Sequence, residues 1–162
     1  MMNCCWRLME PGKKLTIDDC RFAILKTLFM DKIEFKTRTK KLAINTARLC
    51  MHLPFNQVNK VYTNQIIRSS SSVGANYRAA CRAKSKADFI NKLRIVEEEM
   101  DETMYFLELL AEFNLDKKRE MREIYKEADE LLAMIVKSIN TALKNLQVEK
   151  SSGTKTNPQS QI

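Results

Sequence analysis

Two long stretches of this sequence repeat apolar residues every three or four positions, which is the spacing of one face of an α-helix. The first stretch runs from Phe89 to Leu110 and is close to a heptad repeat, and the second runs from Ile124 to Leu146. Only 3 Gly and 3 Pro occur in the 162 residues, so the turn residues that an all-β fold requires are too few. The sequence therefore predicts an all-α protein.

Two further helices precede these stretches. Apolar positions step by three and four from Phe35 to Leu53, where Pro54 ends the pattern. The next helix should begin near Phe55 or Asn56 and continue to about Ala80 or Cys81, because the spacing persists through the serine-rich segment and serine hydroxyls can bond to the carbonyl one turn earlier. Its small and polar residues are expected at a close helix crossing; they are Ser69, Ser72, Gly74 and Asn76.

The connections between the helices are short. Ser85-Lys86-Ala87-Asp88 has the form of a capping box and predicts the start of the third helix. Asn114 can end that helix, and Asp116 can cap the fourth. Short connections make consecutive helices antiparallel, so the predicted fold is an antiparallel up-down-up-down four-helix bundle.

The ends of the chain differ from this middle part. Residues 1–29 lack sustained periodicity and contain Pro11-Gly12, so we interpret them as an N-terminal extension. Met30 is then expected near the biological start, and the extension is either encoded upstream of it or a loose appendage. The bundle is assigned to residues 30–148. Residues 149–162 have almost nothing to bury and are predicted to be a disordered tail.

Charge is divided unevenly along the chain, whose net charge is +8. Between Lys36 and Arg94 there are 13 bases and one acid, Asp88, whereas between Glu97 and Glu130 there are 13 acids and five bases. The basic half could meet phosphate, and the acidic half could meet the basic half of a neighbouring subunit. This division of charge favours a homo-oligomer, and the basic half also favours an acidic binding partner.

The predicted binding residues lie around the turn between the second and third helices. They are Arg78, Arg82, Lys84, Lys86, Lys92 and Arg94. Lysine and arginine in this setting would contact phosphate rather than bases, which gives salt-dependent binding of RNA or DNA that tolerates any sequence. Two alternatives stay open: a solvated basic face, and a structural interaction module whose basic face docks an acidic protein.

No residue pattern supports an enzyme, a metal site or a cofactor. A di-iron bundle needs Glu-x-x-His pairs, and the single histidine, His52, has no Glu three residues before it. Arg48 and His52 are too close together for the Arg and His pair of bundle ribonucleases. The five cysteines form an odd set without ligand spacing and indicate reduced thiols in the cytoplasm. No stretch approaches the ~20 apolar residues that span a bilayer.

Three segments together resemble a known family. They are Ser70-Ser71-Ser72-Val73-Gly74-Ala75-Asn76-Tyr77-Arg78, Arg82-Ala83-Lys84-Ser85-Lys86-Ala87-Asp88-Phe89-Ile90-Asn91-Lys92-Leu93, and Glu98-Glu99-Met100-Asp101-Glu102-Thr103-Met104-Tyr105-Phe106-Leu107-Glu108-Leu109-Leu110. In this order they resemble the bacterial four-helix bundle protein family, also called the 23S rRNA intervening sequence protein family. Relatives of the accessory variability determinant of diversity-generating retroelements belong to it.

This resemblance implies a bundle that assembles into a pentameric barrel with a positively charged surface. In the retroelement branch that surface binds nucleic acid and a reverse transcriptase, and no catalytic residues carry over. The chain departs from the family at Ala79, where a Glu is common, and at Tyr105 or Phe106, where a Trp is common. Interactions made by that Glu are therefore not expected in this protein.

Overall fold

The computed structural model describes residues 32–153, with side chains from 32 to 149. Four α-helices follow one another: α1 (Lys32–Met51), α2 (Gln57–Ala80), α3 (Lys86–Phe113) and α4 (Lys118–Gly153), with a 3-10 turn at Leu115–Lys117. The described part of the chain contains no strand, which confirms the all-α prediction. The predicted extension over residues 1–29 lies outside the described residues, as do residues 154–162 of the predicted tail.

Local capping signals set several helix ends. The Asn56 side chain accepts a hydrogen bond of 2.8 Å from the Asn59 amide at the start of α2, and Ser85 Oγ accepts one of 3.1 Å from the Asp88 amide at the start of α3. Asn114 is the C-cap of α3, as predicted. Asp116 lies inside the 3-10 turn instead of capping α4. The last helix also continues to Gly153, past the predicted boundary at 148.

Consecutive helices run antiparallel, and each packs against the next, while α1 also packs against α4. Side-chain pairs show the opposed directions. Phe35 and Tyr77 are in contact, with ring centroids 4.2 Å apart and the rings tilted by 38°, between the start of α1 and the end of α2. Lys86 and Glu149 form an ion pair between the start of α3 and a late position in α4. The order of packing confirms a four-helix bundle.

The core follows the predicted apolar stripes of all four helices. Its largest fully buried hydrophobic residues are Leu42, Ile66, Val73, Leu93, Val96, Met100, Leu107, Leu110, Met121, Leu131 and Ile135. Burial of each such side chain stabilises the fold by about 1.5–3 kcal/mol before conformational entropy is subtracted. The bundle is therefore held together mainly by these stripes.

The serine-rich segment is continuous helix because its small residues pack against two different neighbours. Ser69 is fully buried, and its hydroxyl lies 3.0 Å from the hydroxyl of Thr103 on α3. Gly74 instead faces α1, where an added Cβ would lie 3.6 Å from Thr39 Oγ1. The expected single crossing is thus two crossings, while Ser72 and Asn76 are only half-buried.

None of the helices within the described residues combines the length and the apolar character that crossing a bilayer demands.

Candidate nucleic-acid interface

The turn between α2 and α3 is a hydrogen-bonded segment. The amides of Cys81, Arg82 and Ala83 each donate a bond of 3.0 Å to carbonyls in the last turn of α2. The amide of Lys84 then donates to Asp88 Oδ2 at 3.0 Å. Arg82 and Lys84 are therefore carried by fixed backbone at one end of the bundle, with both side chains exposed.

Asp88 already occupies the N-terminus of α3. Its carboxylate accepts the Lys84 amide and lies 3.3 Å from Lys92 Nζ. The backbone bond from Lys84, with the neighbouring Lys92, lowers the pKa of Asp88 below its ordinary value. A phosphate group at this turn would thus have to be bound by side chains rather than by this helix end.

The six predicted bases differ in how free they are. Lys92 pairs with Asp88, one turn earlier on the same helix, and Lys86 pairs with Glu149 on α4. The other four are exposed and form no salt bridge within residues 32–149, although the charge of Lys84 helps to lower the pKa of Asp88; they are Arg78, Arg82, Lys84 and Arg94. Within that range, four of the six predicted residues therefore present an unpaired charge.

The structure brings some of these bases together and separates others. Arg82, Lys84 and Lys86 lie within five consecutive residues at the end of the bundle. Arg94 lies eight residues after Lys86, which places it about 12 Å farther along α3 at 1.5 Å per residue. Arg78 lies on the last turn of α2 and is one of the residues that line a groove between α1 and α2.

That groove adds two bases that the sequence analysis did not single out. It has a volume of about 290 Å³, and Lys36 and Lys40 of α1 line it opposite Arg78. The spacing of apolar residues in α1 could have identified both lysines. Both lysines immediately follow buried positions of the α1 stripe, Phe35 and Thr39, so they border the face that packs on α2.

Ion pairs within the chain neutralise some of the bases and acids that create the uneven charge distribution. Arg38 holds both carboxylate oxygens of Glu127 at 2.7 and 2.8 Å and one oxygen of Glu130 at 2.8 Å. Arg68 pairs with Glu102 at 2.7 Å between α2 and α3. Some of the acids expected to meet a neighbouring subunit thus form ion pairs within this chain instead. The free basic surface is accordingly smaller than the sequence count suggests.

The histidine and the cysteine near the end of α1, His52 and Cys50, have local contacts or burial that account for their environment. His52 Nδ1 lies 2.7 Å from the Arg48 carbonyl oxygen, to which it can only donate, at the end of α1. Burial raises the pKa of the Cys50 thiol to about 11, which makes it a poor nucleophile. Among residues 32–149, no cluster of three or more His, Cys, Asp or Glu side chains is arranged to hold a metal ion.

Comparison with known proteins agrees with this architecture. The family model of the 23S rRNA-intervening sequence protein matches residues 31–137. A crystal structure of a protein of unknown function from the S23 ribosomal protein family of Bacteroides thetaiotaomicron is 34% identical, with a TM-score of 0.63. The match covers 68% of this chain and 99% of that protein. No curated protein matches. The chain belongs to the 23S rRNA-intervening sequence protein family.

Proposed function

We propose that this protein is a non-enzymatic, oligomeric nucleic-acid-binding protein that acts as an RNA or DNA adaptor or chaperone. The observation that carries the proposal is the set of unpaired, exposed bases at the α2–α3 turn, above all Arg82 and Lys84. They contact phosphate groups, so binding depends on salt and tolerates any sequence. The name of the family supports an association with RNA.

Assembly is the second part of the proposal. Large apolar side chains are exposed at the end of the bundle opposite the basic turn: Phe55 is 91% exposed, Met51 82%, Leu115 69% and Phe113 58%. Exposed apolar residues grouped in this way commonly mark an interface between proteins. We propose a homo-oligomer, with the pentamer as the state that the family resemblance implies. A ring with an odd number of subunits joins two different faces of each protomer.

A rival function is a structural interaction module whose basic face docks an acidic protein. Partner enzymes such as a reverse transcriptase fall in this class. The same free bases support it, because exposed guanidinium and ammonium groups bind carboxylates as well as phosphates. Binding to nucleic acid therefore has to be measured directly.

The experiment compares two variants with the same loss of charge. Arg82, Lys84 and Lys86 are replaced by Ala in the first variant. The matched control replaces Arg122, Lys126 and Lys137, which are exposed on α4 and away from the turn. Fluorescence anisotropy with labelled single-stranded RNA, duplex RNA and duplex DNA gives the affinity over a range of salt concentrations. Circular dichroism and light scattering check that fold and mass are retained.

The turn variant should bind all three probes more weakly at moderate salt. Its slope of log affinity against log salt should fall by about 0.7 to 0.9 for each phosphate that the protein no longer neutralises. Lys86 should contribute least, since Glu149 already neutralises it. The control variant should keep most of the slope. A folded turn variant with unchanged affinity and slope would rule out this surface and favour the protein-docking rival.

A further inference from the structure

The groove between α1 and α2 is a second basic surface, adjacent to the turn. We propose that it binds the sugar-phosphate backbone of single-stranded nucleic acid, with Lys36, Lys40 and Arg78 as the phosphate ligands. This inference rests on the proposed nucleic-acid function and extends it to a class of ligand. It distinguishes single strands, which enter the groove, from duplexes, which contact only the turn.

The composition of the groove suits a chain of phosphates. Of the described residues that line it, three are cationic and none is acidic. Its floor is made of small residues at helical spacing on α2, Ser71, Gly74 and Ala75, which leave a groove on the surface above the α1–α2 crossing. The floor adds no charge that would repel an anion. The groove is therefore a concave, uniformly positive surface within residues 36–78.

The spacing of the bases fits neighbouring phosphates of one strand. Lys36 and Lys40 are four residues apart, which separates them by about 6 Å along α1. Nucleotides follow one another at about 3.4 Å per strand in a duplex and farther apart in an extended strand. Two lysines on one wall and Arg78 on the other can thus contact consecutive phosphates.

The width of the groove excludes a duplex. Packed helices lie with their axes about 8–10 Å apart. A DNA duplex is wider than this, because its major groove alone measures about 12 Å. The groove lies on the surface above the α1–α2 crossing, so the phosphates of one extended strand can follow it, whereas a duplex would rest on its outer edges. No aromatic side chain of the described residues lines the groove, so no base is stacked and no sequence is preferred.

The groove also leads towards the turn. Arg78 lies one helical turn before Arg82, so a strand bound between α1 and α2 continues onto the bases of the turn. This continuity favours a polymer over a small anion.

The first test variant changes the shape of the groove without changing its charge. Ala75 is exposed on the groove floor, so Ala75→Leu fills the groove with little effect on folding. Ala133→Leu, at an exposed position on α4, is the matched control. A second test removes charge: the Lys36→Gln and Lys40→Gln double variant is compared with the Lys41→Gln and Lys137→Gln double variant, whose residues do not line the groove.

The probes are a labelled oligothymidylate, an oligouridylate and a DNA duplex of the same length. The Lys36 and Lys40 double variant should lower the salt slope for the single strands by about 1.4, which is two phosphates at about 0.7 each. Ala75→Leu should lower it as well, although no charge is removed, because the strand is excluded from the groove. Both control variants and duplex binding should be much less affected.

Each alternative result contradicts a different part of the two proposals. If both groove variants bind single strands like the wild type while the turn variant binds them more weakly, the groove is not a binding site and the proposed function stands. If neither set of variants changes binding, both proposals fail. If Ala75→Leu changes the mass in light scattering and not the affinity, the groove is an interface between copies of this chain.

Discussion

Asn59 and Asn114 exchange two side-chain hydrogen bonds of 2.9 Å between the start of α2 and the end of α3. Both side chains are buried. Each amide also donates to a backbone carbonyl: Asn59 to Pro54 and Asn114 to Leu110, both at 2.8 Å. This closed set of bonds ties the α1–α2 connection to the end of α3, at the end of the bundle opposite the basic turn.

The Asn59 and Asn114 pair should be coupled energetically. Replacing either residue by Ala leaves a buried amide without its partner, which costs about 1–3 kcal/mol of unfolding free energy. The double variant should lose less than the sum of the two single variants, with a coupling of about 0.5–3 kcal/mol. Urea denaturation of the four proteins measures this coupling, and strict additivity would show that the pair does not act as a unit.

Thr46 should tolerate loss of its hydroxyl. Its side chain is fully buried, and Oγ1 has no hydrogen-bond partner among the described residues. Thr46→Val keeps the shape and removes the unsatisfied polar atom, so stability should stay equal or rise by up to about 1 kcal/mol. Thr103→Val is the control, since that hydroxyl contacts Ser69 and the Glu99 carbonyl. A control as stable as Thr46→Val would contradict this account.

Gly74 should accept one methyl group and no more. An added Cβ would meet Thr39 at ordinary van der Waals distances of 3.6 to 3.9 Å. Gly74→Ala should therefore stabilise the protein by about 0.5–1 kcal/mol, because alanine loses less backbone entropy in a helix. Gly74→Leu should destabilise it by about 1–3 kcal/mol through overpacking. Thermal unfolding separates the two, and equal melting temperatures would argue against a close crossing.

Cys50 should react slowly and only at high pH. Burial raises its pKa to about 11, so the thiol stays protonated and unreactive near neutral pH. The folded pKa exceeds the value of about 8.5 for an unfolded thiol. The protonated thiol therefore contributes its full stabilisation of the fold below about pH 8.5, and this contribution is lost as the pH rises towards 11.

Alkylation with iodoacetamide, followed by peptide mass spectrometry, measures the reactivity of Cys50 directly. Its labelling in the folded protein should increase only well above pH 9, and Cys50→Ala should show a smaller loss of stability between about pH 8.5 and 11. Rapid labelling of folded Cys50 at neutral pH would mean that the thiol is not buried as described.

The helices and most of their ends could be predicted from the sequence because their signals are local, whereas both ends of α4 differ from the prediction. The capping box at Ser85 and Asp88 and the persistent spacing through Ser69 both act within one or two turns of helix. The family could be recognised from ordered segments of the same helices, and the family model confirms it. The position of the basic turn followed from the helix boundaries alone.

The tertiary structure decided which bases are free and which form a groove. Lys86 is neutralised by Glu149, 63 positions away, and Arg38 by Glu127, 89 positions away. Lys36 and Lys40 face Arg78 only because α1 packs against the small residues of α2. A one-dimensional charge count contains neither fact, since Coulomb energy depends on distance in space and helix rotation determines which side chains meet.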